Sequence, residues 1–175
     1  MEAAQQINNS ELIGIGANSE EDQLLTFILA NEEYGVDILR VQEIKGWDSV
    51  TPIPNTPDYI RGVINLRGTI VPIIDLRLRF SLEQLDYGPT TVVIMLKVMS
   101  DEKHSRTMGI VVDGVSDVYN MPNEQIKPSP DFGTALETDF VKGLATVSEK
   151  MVIILEIDNI LNAKDLKAVT RGTDS

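Results

Sequence analysis

The apolar residues of this chain fall into short runs: LLTFILA (24–30), YGVDI (34–38), GVINL (62–66), TIVPIIDL (69–76), TTVVIMLKV (90–98), RTMGIVV (106–112), GLATV (143–147) and MVIILEI (151–157). All are strand-length and rich in Val, Ile, Thr and aromatic residues, with turn-forming stretches such as NEE, PNTPD, RG, DG and SEK between them. Two segments read as helical instead. LRVQEI (39–44) reads as one helical turn, and DNILNAKDLKAV (158–169) as a C-terminal helix with Asp158 at its N-cap. The pattern predicts a mainly β body with short helices.

Aligned with itself, the chain repeats. YGVDILRVQEI (34–44) lies without a gap on MGIVVDGVSDV (108–118), and RGVINLRGTIVPIIDL (61–76) lies as cleanly on KGLATVSEKMVIILEI (142–157). Strand-rich sequences resemble one another through apolar pattern alone, but two ungapped blocks in the same order favour a duplicated unit, about 24–88 and 90–157. Each half is expected to form a small barrel or curled sheet of about five strands, since closure removes exposed sheet edges. A unit of that size buries too little surface to stand alone, so the two subdomains are expected to share a hydrophobic core.

Residues 1–22 carry five acidic and no basic side chains and read as a disordered acidic leader; 163–175 read as a polar C-terminal tail, leaving 23–162 as the folded body. The leader's patch LIGIG is too short for a signal-peptide core, and no apolar run approaches the roughly 18 residues of a membrane span. With no cysteine there are no disulfides and no thiolate chemistry. A cytoplasmic protein is expected. Of the net charge of −12, the leader holds −5 and the tail +1, so the body keeps −8. An acidic body repels phosphate backbones and anionic lipid, which argues against nucleic acid partners and membrane insertion.

Catalytic chemistry finds little support. The single histidine, His104, sits in the hydrophilic connection SDEKHS, where a solvated side chain is a better reading than a general base. The chain has no phosphate-binding P-loop, dinucleotide fingerprint, HExxH or calcium loop, and the G-x-G at Gly14 and Gly16 reads as linker. A working pair of carboxylates is set in space rather than in sequence, and nothing nominates a position for one. No enzyme activity, metal or cofactor is expected.

Interaction chemistry remains. Pro72 lies inside TIVPIIDL and cannot donate to a ladder, so this strand is expected at a sheet edge, or with its nitrogen turned away from pairing. Gly68 offers the positive φ of a tight hairpin and places Arg67 at its tip. Exposed arginines at turns are ordinarily soluble surface; here Glu43 is a candidate partner for a charge-assisted hydrogen bond, if the fold brings the two together.

The stretches EEYGVDILRVQEIKG, IPNTPDYIRGVINLRGTIVPIIDLR, GIVVDGVSDV and EQIKPSPDF, in that order, resemble the CheW family of bacterial chemotaxis coupling proteins from about Leu24 to Leu161. NLRG (65–68) with its flanks is the specific part. The kinase ATP-binding segment of CheA and the receiver domain of CheV are both missing. The resemblance implies two five-stranded SH3-like barrels around a common core. It also implies a non-enzymatic adaptor in the cytoplasm, recruited to membrane receptor arrays. One face would bind the cytoplasmic tip of methyl-accepting chemotaxis receptors, and another the regulatory domain of the histidine kinase CheA. The binding residues it implies are Val41, Glu43, Ile44, Gly62, Asn65, Leu66, Arg67 and Gly68. On this reading Val41, Ile44 and Leu66 give affinity for a receptor helix lying in a groove, and Glu43 with Arg67 gives register. A purely structural strut is the competing role for Arg67. The competing class of function is an acidic β-barrel interaction module outside chemotaxis, or a small-molecule sensor with an inter-barrel cavity, which its ligand would stabilise.

Overall fold

The computed structural model describes residues 21–128 and 140–162. The first half runs β1 (Glu21–Leu29), β2 (Glu32–Asp37), a 3-10 turn (Ile38–Arg40), β3 (Val41–Gly46), β4 (Ile60–Leu66), β5 (Thr69–Asp75) and the single-turn helix α1 (Leu76–Arg79). The second runs β6 (Val92–Met99), β7 (Ser105–Val112), β8 (Gly114–Pro122), a 3-10 turn (Asn123–Gln125), β9 (Val141–Val147), β10 (Lys150–Leu155) and α2 (Ile157–Leu161). Three hairpins turn on two residues each, Ala30–Asn31, Arg67–Gly68 and Ser148–Glu149, all at positive φ. This is the left-handed pattern that matches the twist of paired strands.

Two five-stranded sheets result, in the orders β9-β10-β2-β1-β8 and β3-β6-β7-β5-β4. Neighbours are antiparallel except β10 with β2 and β5 with β7. The duplication is visible in the pairing: Ile73 lies against Gly109 in one parallel pair, and Ile154 against Gly35 in the other, each at the matching place in its repeat. The expectation that each half folds into its own sheet is corrected. β1 and β2 join β8, β9 and β10, while β6 and β7 join β3, β4 and β5. A half has too little apolar surface for a core of its own, and exchanging hairpins lets each complete the other's sheet.

The core has three parts. The largest lies between the sheets and takes Phe27 and Val36 from one and Ile74, Ile94 and Leu96 from the other. Each sheet also curls around an interior of its own: Val71, Ile73 and Met95 in one, Leu24, Ala145 and Ile154 in the other. The fold is therefore a pair of small barrel-like sheets on a shared core, each open between its two edge strands: β3 and β4 in one, β8 and β9 in the other.

The chain crosses between sheets at residues 38–40 and at Asp113, and an ion pair closes each crossing. Arg40 binds Asp158 of α2 through two hydrogen bonds of 2.8 Å. Arg77 of α1 binds Asp113 at 2.8–3.2 Å. Burial alone would raise both carboxyl pKa values. The arginine hydrogen bonds, backbone N–H donors from Met99 to Asp158 and from Ala30 to Asp113, and the arginine charges outweigh it and hold both below the usual carboxylate range. Arg77 and Asp158 occupy the same place in their repeats, so the two clamps carry opposite polarity.

Other expectations are adjusted. LRVQEI is a 3-10 turn followed by β3, and β8 is a strand that no apolar run announces. Asp158 lies inside α2, whose N-cap is Glu156; the rest of the expected helix, 163–169, falls outside the described residues. Glu21 and Asp22, read as leader, already pair with Pro122 and Met121 in β1. Residues 1–20 and 163–175 lie outside the described residues. Pro72 sits in a strand with neighbours on both sides, but β5 meets β7 only from Ile73 onward, so the missing N–H faces an unpaired stretch.

Candidate functional site

Strand β3 is a sheet edge, and its side chains alternate between two environments. Val41 and Ile44 pair with Leu96 and Ile94, whose side chains belong to the shared core; Glu43 pairs with Met95, inside the barrel. A bulge between Val41 and Glu43 sets this phase. Val41 packs partly against the shared core, whereas Ile44 stays 41% exposed beside it.

Across the barrel opening, the β4–β5 hairpin brings up the second group. Arg67 and Gly68 have φ of 52° and 89°, so both central residues are left-handed, Arg67 as well as the glycine expected there. Asn65 Oδ1 accepts the Gly68 N–H at 2.8 Å and braces the turn. The Arg67 guanidinium donates from Nη2 to Glu43 Oε1 at 2.7 Å, bridging the open edges β3 and β4. The arginine side chain remains 73% exposed and Glu43 is about one-third exposed. Leu66 packs partly into the barrel interior, and Ile70, just past the turn, is 42% exposed.

Gly62 behaves differently from the others. It is buried just after the bulge that follows Ile60, opposite Ile73, with φ of 143°. A Cβ there would lie 2.3 Å from the Thr51 carbonyl oxygen, which accepts the Val63 N–H at 2.9 Å. Gly62 therefore shapes the β4 edge by letting the 50–52 segment close over it. Asn65 and Gly68 likewise hold the turn, so the candidate contact surface reduces to Val41, Glu43, Ile44, Leu66 and Arg67, extended by Ile70. The structure brings Glu43 and Arg67 into direct contact and puts Ile44 on the other face of β3, toward the seam between the barrels.

A second surface repeats the first. Val115 and Val118 of β8 pair with Phe27 and Leu25, so they border the shared core from the opposite sheet, as Val41 and Ile44 do. Val118 is 46% exposed and Met151, the counterpart of Ile70, 54%. Sequence pattern does not single these residues out, yet the alignment of 34–44 on 108–118 and of 61–76 on 142–157 places them against Val41, Ile44 and Ile70. His104 is exposed in the β6–β7 connection and pairs with Asp101 at 2.9 Å. No helix among the described residues is long and apolar enough to cross a membrane.

Comparison with known proteins gives a consistent answer. The family profile for the CheW-like domain matches residues 23–165. The chain is 50% identical over 147 residues to the chemotaxis protein CheW of Klebsiella aerogenes, covering 84% of this chain and 86% of that protein. It is 33% identical over 146 residues to CheW of Rhizobium meliloti, covering 83% and 91%. Among solved structures, the scaffolding protein TtCheW of Thermoanaerobacter tengcongensis superposes with a TM-score of 0.74 at 34% identity, covering 82% of this chain and 94% of that one.

Proposed function

The chain belongs to the CheW-like family and is a chemotaxis adaptor, and from that premise we propose that it couples two partners through its two related edges. The β3 edge with the β4–β5 turn takes a helix from the cytoplasmic tip of a methyl-accepting chemotaxis receptor. The β8 edge takes the regulatory domain of the histidine kinase CheA. The adaptor works in the cytoplasm at membrane receptor arrays, brings kinase activity under receptor control, and carries out no chemical step of its own.

The observation that carries this reading is the Glu43–Arg67 bond at an open sheet edge, flanked by the half-exposed Ile44 and Ile70. Apolar side chains beside a fixed polar pair are what an amphipathic helix needs for affinity and register. For the sensor alternative, one candidate site is a cavity of about 270 Å³ beside α1. Its polar groups are already bonded to one another, Arg77 to Asp113 and the Tyr87 hydroxyl to Asp75, which leaves few donors for a ligand.

Calorimetric titration of the full chain tests the proposal, first with a receptor cytoplasmic fragment and then with the CheA regulatory domain. Saturable one-to-one binding to both is expected. Binding to neither would place the function elsewhere.

A further inference from the structure

The two repeats present one edge twice, and a single turn distinguishes them. Resting on the assignment of partners above, we infer that Ser148 and Glu149, standing where the first repeat has Arg67 and Gly68, exclude the receptor helix from the β8 edge and so decide which partner each edge accepts.

The apolar parts of the two edges are too alike to discriminate. Val41 and Ile44 match Val115 and Val118 at the rim of the shared core. Leu66 and Val147 each pack into their own barrel, and Ile70 and Met151 stand exposed after each turn. The turns share a backbone as well, with φ of 52° and 89° in one and 51° and 68° in the other.

Charge is where the edges part. At β3 the carboxylate of Glu43 is answered by Arg67, which uses one nitrogen on it and keeps other N–H donors for a partner. At β8 the equivalent carboxylate is Asp117, which accepts its neighbour's backbone N–H from Val118 and has no ion pair among the described residues. The turn equivalent to Arg67–Gly68 carries Glu149 instead of a cation, and Lys150 leans toward Glu33 at 4.0 Å. A helix that offers a carboxylate next to aliphatic side chains is met by donors at the first edge and by like charge at the second. Selectivity by repulsion of this kind needs no change in the apolar surface.

The test moves the turn. Ser148→Arg combined with Glu149→Gly rebuilds the first repeat's turn on the second edge; both positions are exposed, so the melting temperature should match wild type. In calorimetric titration with a receptor cytoplasmic fragment, wild type should bind one fragment per chain and the variant two, the new site within about tenfold of the original Kd. Excess fragment should then displace the CheA regulatory domain from the variant but not from wild type. Adding Arg67→Gly should bring the variant back to one fragment, now at the β8 edge. If the double variant is destabilised, Ser148→Arg alone supplies the same readout. A folded variant that binds one fragment and keeps CheA overturns this inference alone. A wild-type chain that binds no fragment overturns the partner assignment, and this inference with it.

Discussion

Replacing Arg67 by glycine separates the two roles open to it, docking contact and structural strut. Its bond to Glu43 spans 2.7 Å between side chains that are 73% and 32% exposed, so losing it costs about 0.2–1 kcal/mol. Against this, a non-glycine residue at φ 52° carries a steric cost of about 1–2 kcal/mol, which glycine removes. Glycine's greater freedom in the unfolded chain takes back roughly 0.5–1 kcal/mol. These terms nearly cancel, and the net change stays within about 1 kcal/mol of zero. For a chain of this size that is a thermal midpoint shift of less than about 4 °C. Arg67→Ala keeps the steric cost and still loses the bond, so alanine should melt below glycine. Binding should respond differently: a charge-assisted hydrogen bond to a partner is worth about 1.5–3 kcal/mol, a loss of roughly 10- to 100-fold in Kd for the receptor fragment. Circular-dichroism melts of both variants, with calorimetry on each, measure the two effects. A glycine variant that melts more than about 10 °C low and binds receptor as well as wild type would make Arg67 a strut and not a contact.

Gly62→Ala should destabilise by roughly 3 kcal/mol, because its Cβ meets the Thr51 carbonyl oxygen at 2.3 Å and backbone must move; a melt within a degree of wild type would contradict this. The clamp carboxylates Asp113 and Asp158 have folded pKa values below their unfolded ones. Their stabilisation is complete above the ordinary carboxylate pKa near 4 and is lost as pH falls through the folded values. Stability should hold from pH 7 to about 5 and drop below about 4, and Asp158→Asn should be less stable at pH 7 and flatter in acid. An unchanged acid limb in denaturant titrations would rule out the clamp as its source. Cleaving the connection between Ser81 and Pro89 should leave two fragments that co-elute on size exclusion, since each sheet takes strands from both halves; fragments that separate and stay folded would deny the shared core.

Much of this architecture can be read from the chain, and the exceptions share a cause. The eight apolar runs are strands because most of their residues face either the shared core or a barrel interior. The two strands that pattern does not announce, β3 and β8, are edge strands and repeat counterparts of each other. Polar residues interrupt them, Gln42 and Glu43 in one and Ser116 and Asp117 in the other, so no apolar run marks them. The exchange of hairpins leaves no trace in sequence, since a strand completed by its own repeat and one completed by the other carry the same side chains. The Arg67–Glu43 pair is legible as a possibility only; its contact depends on the curl that brings β3 toward β4. The part that Gly62 plays at the site could not be anticipated, because its reason is the Thr51 carbonyl, eleven positions away in the chain, whose oxygen lies 2.3 Å from where a Cβ would stand.

One chain is expected to hold two partners at once through two separate edges. Light scattering on size-exclusion fractions of the full chain mixed with the CheA regulatory domain and a receptor cytoplasmic fragment would show both at once. A ternary complex is expected, from which Arg67→Gly removes only the receptor fragment and Val118→Asp removes only CheA. Two partners that displace one another, or a single substitution that releases both, would contradict it.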